Sequence, residues 1–191
     1  MIETINQVIK SRRSIFPAMY TGEKADDSLI ENILENANWA PNHKNTEPWR
    51  FKVYTDQGLV GLGEFLAESY KEITPVEKFM EMKYNKTRKK AQQSSHVIAL
   101  CMERDPKESV PEWEELAALS CAVQNMYLTC TALGLGCYWS SPKTILNASE
   151  FLGLVNSQKC YGLLYIGVPQ AGLNLKAKRQ DIGLKTEWIR E

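Results

Sequence analysis

Glu112-Trp-Glu-Glu-Leu-Ala-Ala-Leu-Ser-Cys-Ala-Val-Gln-Asn-Met-Tyr-Leu-Thr-Cys-Thr-Ala-Leu133 is the stretch on which the fold turns. Pro111 stands where a helix begins, since it has no N–H to leave unpaired, and Gly134 stands where a helix ends. The segment between them predicts a helix about 30 Å long. Its apolar residues do not keep to one stripe: Trp113, Leu116, Ala117, Ala118, Leu119, Ala122, Val123, Met126, Tyr127 and Leu128 run almost all round it. Such a helix is buried on more than one side. In a chain of 191 residues, that predicts a central helix that also meets a partner subunit.

Beyond Gly134, Cys137 to Ser140 reads as a short extended segment, Pro142 as a turn and Ile145 to Leu152 as a helix. Cys160 to Gly167 reads as a buried strand closed by Gly167 and Pro169. The tail from Ala171 is basic at first and ends in Trp188-Ile189, which predicts a docked terminus. Upstream, His96 to Met102 is an apolar run of strand length, and Trp49 to Tyr54 alternates as a strand with one wet face. Residues 58–95 look helical, broken at Pro75, with five basic residues from Lys83 to Lys90 that read as a solvated face. A helix from about Asp27 to Trp39 is capped by Asp26 or Asp27 and closed by Pro41. Ile2, Ile5, Val8 and Ile9 predict a first helix from Ile2 to Arg12, ending near Ser14. No repeat or linker interrupts the chain, so residues 1–191 read as one domain.

Composition narrows the function. The chain is 43% hydrophobic, and 23 basic residues balance 23 acidic ones. A nucleic-acid binder carries a basic excess, and disorder does not fit so many large apolar side chains. The five cysteines, Cys101, Cys121, Cys130, Cys137 and Cys160, have no Cys-x-x-Cys pair, and His43 and His96 are the only histidines. That is a poor set for zinc, so no metal is expected, and the thiols read as small hydrophobes in a reducing compartment. Met1 to Arg13 lacks an apolar signal core, and no run reaches about 18 apolar residues, so a cytoplasmic location is expected.

Four segments carry candidate chemistry. Arg12-Arg13-Ser14 puts two guanidiniums and a hydroxyl at a helix end, which suits an anion and equally suits two solvated arginines. Trp39-Ala-Pro-Asn-His43-Lys-Asn-Thr-Glu-Pro-Trp49 packs donors and a cation between two tryptophans, as a grip on a flat polar ring or as a turn between core tryptophans. Gly134-Leu-Gly136-Cys-Tyr-Trp139-Ser140-Ser141 is not a dinucleotide fingerprint. That motif needs a strand before it, a helix after it and a third glycine where Trp139 stands. Lys176, Lys178 and Arg179 form a second cationic group in the tail.

In this order, together with Pro48-Trp49-Arg50-Phe51 and Leu164-Tyr165-Ile166-Gly167-x-Pro169, the segments resemble the nitroreductase family of flavin mononucleotide (FMN) enzymes. His43-Lys44 resembles its small Ala-Pro-x-His-Lys branch. The resemblance implies an α+β sandwich, a mostly antiparallel central sheet flanked by helices, in an intertwined homodimer with FMN at the interface. It implies that Arg12, Arg13 and Ser14 hold the phosphate and ribityl chain, joined by Lys178 and Arg179 from the tail. Trp139, Ser140 and Ser141 would line the isoalloxazine with backbone N–H groups available to it, and Trp39 and His43 would arrive from the partner subunit. It further implies a ping-pong reaction in which NADH or NADPH reduces flavin N5 and a nitroaromatic, quinone or similar flat acceptor then takes the electrons, with no catalytic side chain needed. Two other outcomes stay open on the same residues: an FMN carrier or sensor without turnover, and an FMN enzyme of this fold performing dehalogenation or dehydrogenation.

Overall fold

Strand β2 (His96–Glu103) divides the molecule into layers. Its side chains alternate by the strand period, Ile98, Leu100 and Met102 to one face and Val97, Ala99 and Cys101 to the other, and all six are wholly buried. A strand hidden on both faces needs helices on both sides, and the computed structural model, which describes residues 1–191, supplies them.

The order along the chain is α1 (Ile2–Ser11), α2 (Asp27–Asn38), β1 (Trp49–Tyr54), α3 (Gln57–Ile73), α4 (Glu81–Gln92), β2, α5 (Glu112–Ala132), β3 (Gly136–Ser140), α6 (Lys143–Leu146) and β4 (Gln158–Gly167). The sheet runs β1-β2-β4-β3, with every neighbouring pair antiparallel. Helices α2 and α5 cover one face through Ile30, Ile33, Leu119, Val123 and Met126. Helices α3, α4 and α6 cover the other through Leu62, Leu66, Ala91 and Ile145. This is the α+β sandwich expected. No helix is long and apolar enough to cross a membrane.

Two glycines make the sheet edge. Gly136 and Gly167 are register partners on β3 and β4, and the Tyr20 ring lies across both. A Cβ on Gly167 would come within 2.3 Å of that ring. The Tyr20 hydroxyl then donates to the carbonyls of Ile15 (2.7 Å) and Tyr165 (3.0 Å), fixing the segment after α1 against the sheet. The glycines thus admit an aromatic side chain.

Helix α5 departs from expectation in an informative way. Ala118, Leu119, Ala122, Val123, Met126 and Cys130 are buried, yet Trp113, Ala117, Cys121 and Ala132 are exposed on the opposite side. One chain covers one face and leaves the other bare. Helix α1 buries no residue at all, with Ile2, Ile5 and Ile9 in solvent. The tail beyond residue 171 leaves Ile182, Leu184, Trp188 and Ile189 exposed, so its expected docking is not made within one chain. The helix expected from Ile145 to Leu152 is only α6, followed by turns to Gly153, which has a φ of 56°. Asn147 and Ser149 compete for backbone hydrogen bonds there, and burial of Ile145, Ala148 and Leu152 is achieved by turns instead.

Candidate functional site

Ser14 forms a parallel bridge with Cys137, and the Ile15 N–H donates to the Cys137 carbonyl at 3.0 Å. This contact carries Arg12-Arg13-Ser14 to the free edge of β3. The tail returns to the same place, because Arg13 Nε donates to the Leu175 carbonyl at 2.6 Å. Between them lies a cleft of about 370 Å³ lined by Arg12, Arg13, Ser14, Lys176, Lys178 and Arg179, with Asn174, Leu175 and Ala177. Its walls hold five cations and no carboxylate. Like charges held this close repel one another unless an anion sits between them.

The cations are not equivalent. Arg13 is engaged by backbone, donating also to the carbonyls of Lys10 (2.7 Å) and Arg12 (2.9 Å), so it anchors the tail. The Arg12 guanidinium has no hydrogen-bonded partner and lies over the Tyr127 ring, 5.1 Å from its centroid. Arg12, Ser14, Lys176 and Lys178 can turn to a phosphate, and Arg179 keeps further donors for it beside the one given to the Lys178 carbonyl at 2.9 Å.

Tyr127 joins this cleft to the next segment. Its hydroxyl accepts the backbone N–H of Trp139 at 2.7 Å and contacts the Ser14 side chain, while burial, opposed by these contacts, pushes its ionisation up. The Trp139 indole donates to the Tyr161 carbonyl at 3.0 Å. Both Trp139 donors are therefore taken, which corrects the expectation that its backbone N–H is available to a ligand. A half-buried N–H without an acceptor would be costly, and Tyr127 supplies the acceptor. What Trp139 offers is its half-buried ring.

Ser140 lies on the other face of β3, beside Tyr138, and there meets a residue that the sequence hid. Lys90 leaves the charged run of α4 to donate to Ser140 Oγ at 3.2 Å, its ammonium 4.7 Å and 4.4 Å from the ring centroids of Tyr138 and Tyr165. Burial, and then the nearby Lys86 charge, pull its pKa down to about 8. Lys90 has no carboxylate partner. Ser141 follows at the exposed end of the strand.

The Trp39–Trp49 loop lies elsewhere. Trp49 is core, donating to Asn38 Oδ1 at 3.0 Å, whereas Trp39 is 78% exposed, its indole held by Glu35. His43 Nδ1 pairs with Glu114 Oε2 at 2.5 Å and Lys44 donates to the Ser109 carbonyl at 2.8 Å. Lys44, Asn45 and Glu47 take left-handed φ values of 53°, 53° and 41°, which bend the loop tightly. Glu114 and Tyr127 stand thirteen positions apart on α5, roughly 20 Å along the helix. His43 therefore reaches one end of α5 and Arg12 the other, and one chain does not bring them together.

A model of the nitroreductase family matches residues 9–168. The chain belongs to the nitroreductase family. A nitroreductase-like family protein from Bacillus cereus, known by crystallography, is 32% identical, with 97% of this chain and 95% of that one aligned at a TM-score of 0.78. YfhC of Bacillus subtilis, grouped by name with the NAD(P)H nitroreductases, is 27% identical over 177 residues, 91% of this chain and 89% of its own length. A Desulfovibrio desulfuricans protein named with the nitroreductases and crystallised in complex with FMN is 26% identical, covers 95% of this chain and 94% of its own, and gives a TM-score of 0.73.

In this member of the nitroreductase family, the residues singled out in the sequence fall into two groups. Arg12, Arg13, Ser14, Lys178 and Arg179 converge on one cleft, Trp139 is tied to it through Tyr127, and Ser140 lies on the opposite face of β3 with Lys90. Trp39 and His43 sit apart. Tyr127 and Lys90 were missed, the first inside an apolar helix and the second inside a basic run.

Proposed function

We propose that this nitroreductase-family protein is an FMN-dependent oxidoreductase that accepts electrons from NADH or NADPH and delivers them, in alternating half-reactions, to flat acceptors such as nitroaromatics and quinones. The observation that carries the reading is the cleft with five cations and no acid. A terminal phosphate dianion fits it, with Arg12, Ser14, Lys178 and Arg179 as ligands and Arg13 holding the tail that brings the last two. Trp139 would offer its half-buried ring to the isoalloxazine, and Ser140 and Ser141 would offer hydroxyls along the same strand edge. Lys90 places a positive charge next to Ser140, where it favours negative charge on a bound ring. FMN, when bound, supplies hydride-accepting and hydride-donating chemistry; the chain supplies binding, orientation and electrostatics. The FMN complex of the Desulfovibrio relative supports the choice of cofactor.

The active unit in this reading is a homodimer of single-domain chains, each domain spanning residues 1–191. The bare faces of α1 and α5 support it. If α5 crosses a second α5 antiparallel about a two-fold axis between Ser120 and Cys121, the partner subunit's His43 comes beside Tyr127 and Arg12. The partner's Trp39 and His43 then close the site that one chain leaves open.

The cofactor is tested by reconstituting the purified protein with FMN and FAD together, removing unbound flavin, heating it and chromatographing what is released. FMN alone is expected. Recovery of FAD after reconstitution with both flavins, or of no flavin, would overturn the reading.

A further inference from the structure

We propose that Cys101 and Cys160 form a redox-sensitive site, a dithiol that peroxide converts to a cross-strand disulfide and whose state is transmitted to Trp139 and Ser140. The two cysteines are register partners on β2 and β4 and face the same layer, among Leu62, Leu163 and Tyr165. Directly opposed residues of an antiparallel pair have Cα atoms roughly 4.5–5.5 Å apart. A disulfide spans about 4.4–6.8 Å between Cα atoms, so the spacing of opposed strand residues is within its reach.

The thiols are already associated. Each thiol acts on the titration of the other, pushing Cys101 up and holding Cys160 down, as two sulfurs in contact do, and Cys160 is taken as the attacking sulfur in the steps that follow. Cys130 and Cys137 also lie close to one another, but burial drives Cys137 far up and leaves no comparable nucleophile. In the first step the Cys160 sulfur attacks hydrogen peroxide, the O–O bond breaks, and a sulfenic acid and one water form. In the second the Cys101 sulfur displaces the sulfenic oxygen as a second water, and the S–S bond closes. The two thiols lose two electrons and two protons in all, and peroxide is reduced to two waters.

The route to the site runs through a β-bulge. Between Ala99↔Leu163 and Cys101↔Cys160 the register slips, giving β4 one extra residue at Tyr161–Gly162. Gly162 has a φ of 131° and is seated so tightly that a Cβ would come within 2.6 Å of both the Ser140 carbonyl oxygen and the Trp139 indole nitrogen. The Tyr161 carbonyl holds that indole at 3.0 Å. The Cys160 thiol donates to the Gly162 carbonyl at 3.5 Å, and so fastens the bulge from inside. A disulfide removes that donor and turns Sγ towards β2. The bulge loosens, and with it the support of Trp139 and Ser140. The effect on cofactor binding rests on the functional reading above; the disulfide itself does not.

The test treats the purified protein with hydrogen peroxide, traps remaining thiols after denaturation, and maps the peptides by mass. A peptide joining Cys101 to Cys160 is expected, reversed by dithiothreitol. In flavin-free protein, the Trp139 fluorescence, taken as the difference from a Trp139→Phe variant, is expected to shift on oxidation and return on reduction. FMN affinity is expected to fall about tenfold in the oxidised protein, the equivalent of one lost hydrogen bond. Cys160→Ala, which removes both the cross-link and the thiol donor to Gly162, is expected to abolish all three responses to peroxide. Free Cys101 and Cys160 after peroxide, a linkage at Cys130–Cys137 instead, or a disulfide that leaves the Trp139 signal unchanged would overturn the proposal. Reduced protein that binds no FMN counts against the functional reading alone, because the peptide map and the Trp139 signal still decide this one.

Discussion

Arg12 carries a guanidinium with no carboxylate or carbonyl partner inside the chain, beside four further cations. A charge in that position is stabilised by what binds to it. Arg12→Ala removes a charge-assisted hydrogen bond worth roughly 1.5–3 kcal/mol. FMN affinity, measured by quenching of flavin fluorescence, is expected to fall about tenfold or more, and riboflavin affinity to change little. Equal losses for both flavins would place Arg12 away from the phosphate. Lys90 gives a second test, on pH. Its pKa of about 8 means that the ammonium is present below pH 8 and lost above it. Ring binding that depends on this charge is expected to be tightest below pH 8 and to weaken as pH rises through 8, and Lys90→Met is expected to flatten the profile. Stability has the opposite sign: burial disfavours the charged form, so folding gains as pH rises from 8 towards the usual lysine range. Arg12, Arg13 and Ser14 at a helix end and the cations of the tail stood out as charge clusters in a neutral chain, whereas their meeting in one cleft is set by the fold. Tyr127 and Lys90 were not, since nothing local distinguishes a tyrosine with a ligand-side hydroxyl, or a lysine whose neighbours are tyrosines from strands far along the chain.

At the scale of elements, the first turn of α5 holds the structure's most buried charge. The Glu115 side chain is fully buried, pairs with Arg104 and accepts the Asp105 N–H at 2.8 Å. Together these bonds tie the loop after β2 to α5, the same loop whose Ser109 carbonyl receives Lys44. Removing one partner of a buried pair leaves the other uncompensated, so Glu115→Ala is expected to lose about 3–5 kcal/mol, read as a lower urea midpoint with an unchanged slope. A loss below about 1 kcal/mol would mean that Arg104 swings into solvent without penalty. β1 and α2 were readable from a single period, β2 from an unbroken apolar run of strand length, and α5 from apolar residues all round between Pro111 and Gly134. The segment 145–152 was not, because its apolar spacing fits a helix while Asn147, Ser149 and Gly153 favour turns. The bulge in β4 was invisible too, since it is set by pairing with β2.

For the whole molecule, the apolar faces of α1 and α5 and the exposed tail decide the assembly. Light scattering at low micromolar concentration is expected to give about 43 kDa, twice the chain mass of 21.7 kDa, in a two-fold dimer. A monomer that retained FMN would contradict the two-chain site. The all-round apolar pattern of Glu112–Leu133 had announced a partner, and the bare side of α5 is where that pattern remains unanswered within one chain. The acceptor was not legible, because residues 58–95 follow no pattern that encodes its shape. The measurement that bears most directly on function is anaerobic: FMN-loaded protein is mixed with NADH or NADPH, and the visible flavin absorbance is followed. At least one nicotinamide is expected to bleach the bound flavin within seconds, and a quinone or nitroaromatic added afterwards is expected to restore the colour. Flavin that stays yellow with both nicotinamides at millimolar concentration, yet bleaches with dithionite, would contradict the oxidoreductase and leave a flavin carrier or sensor in its place.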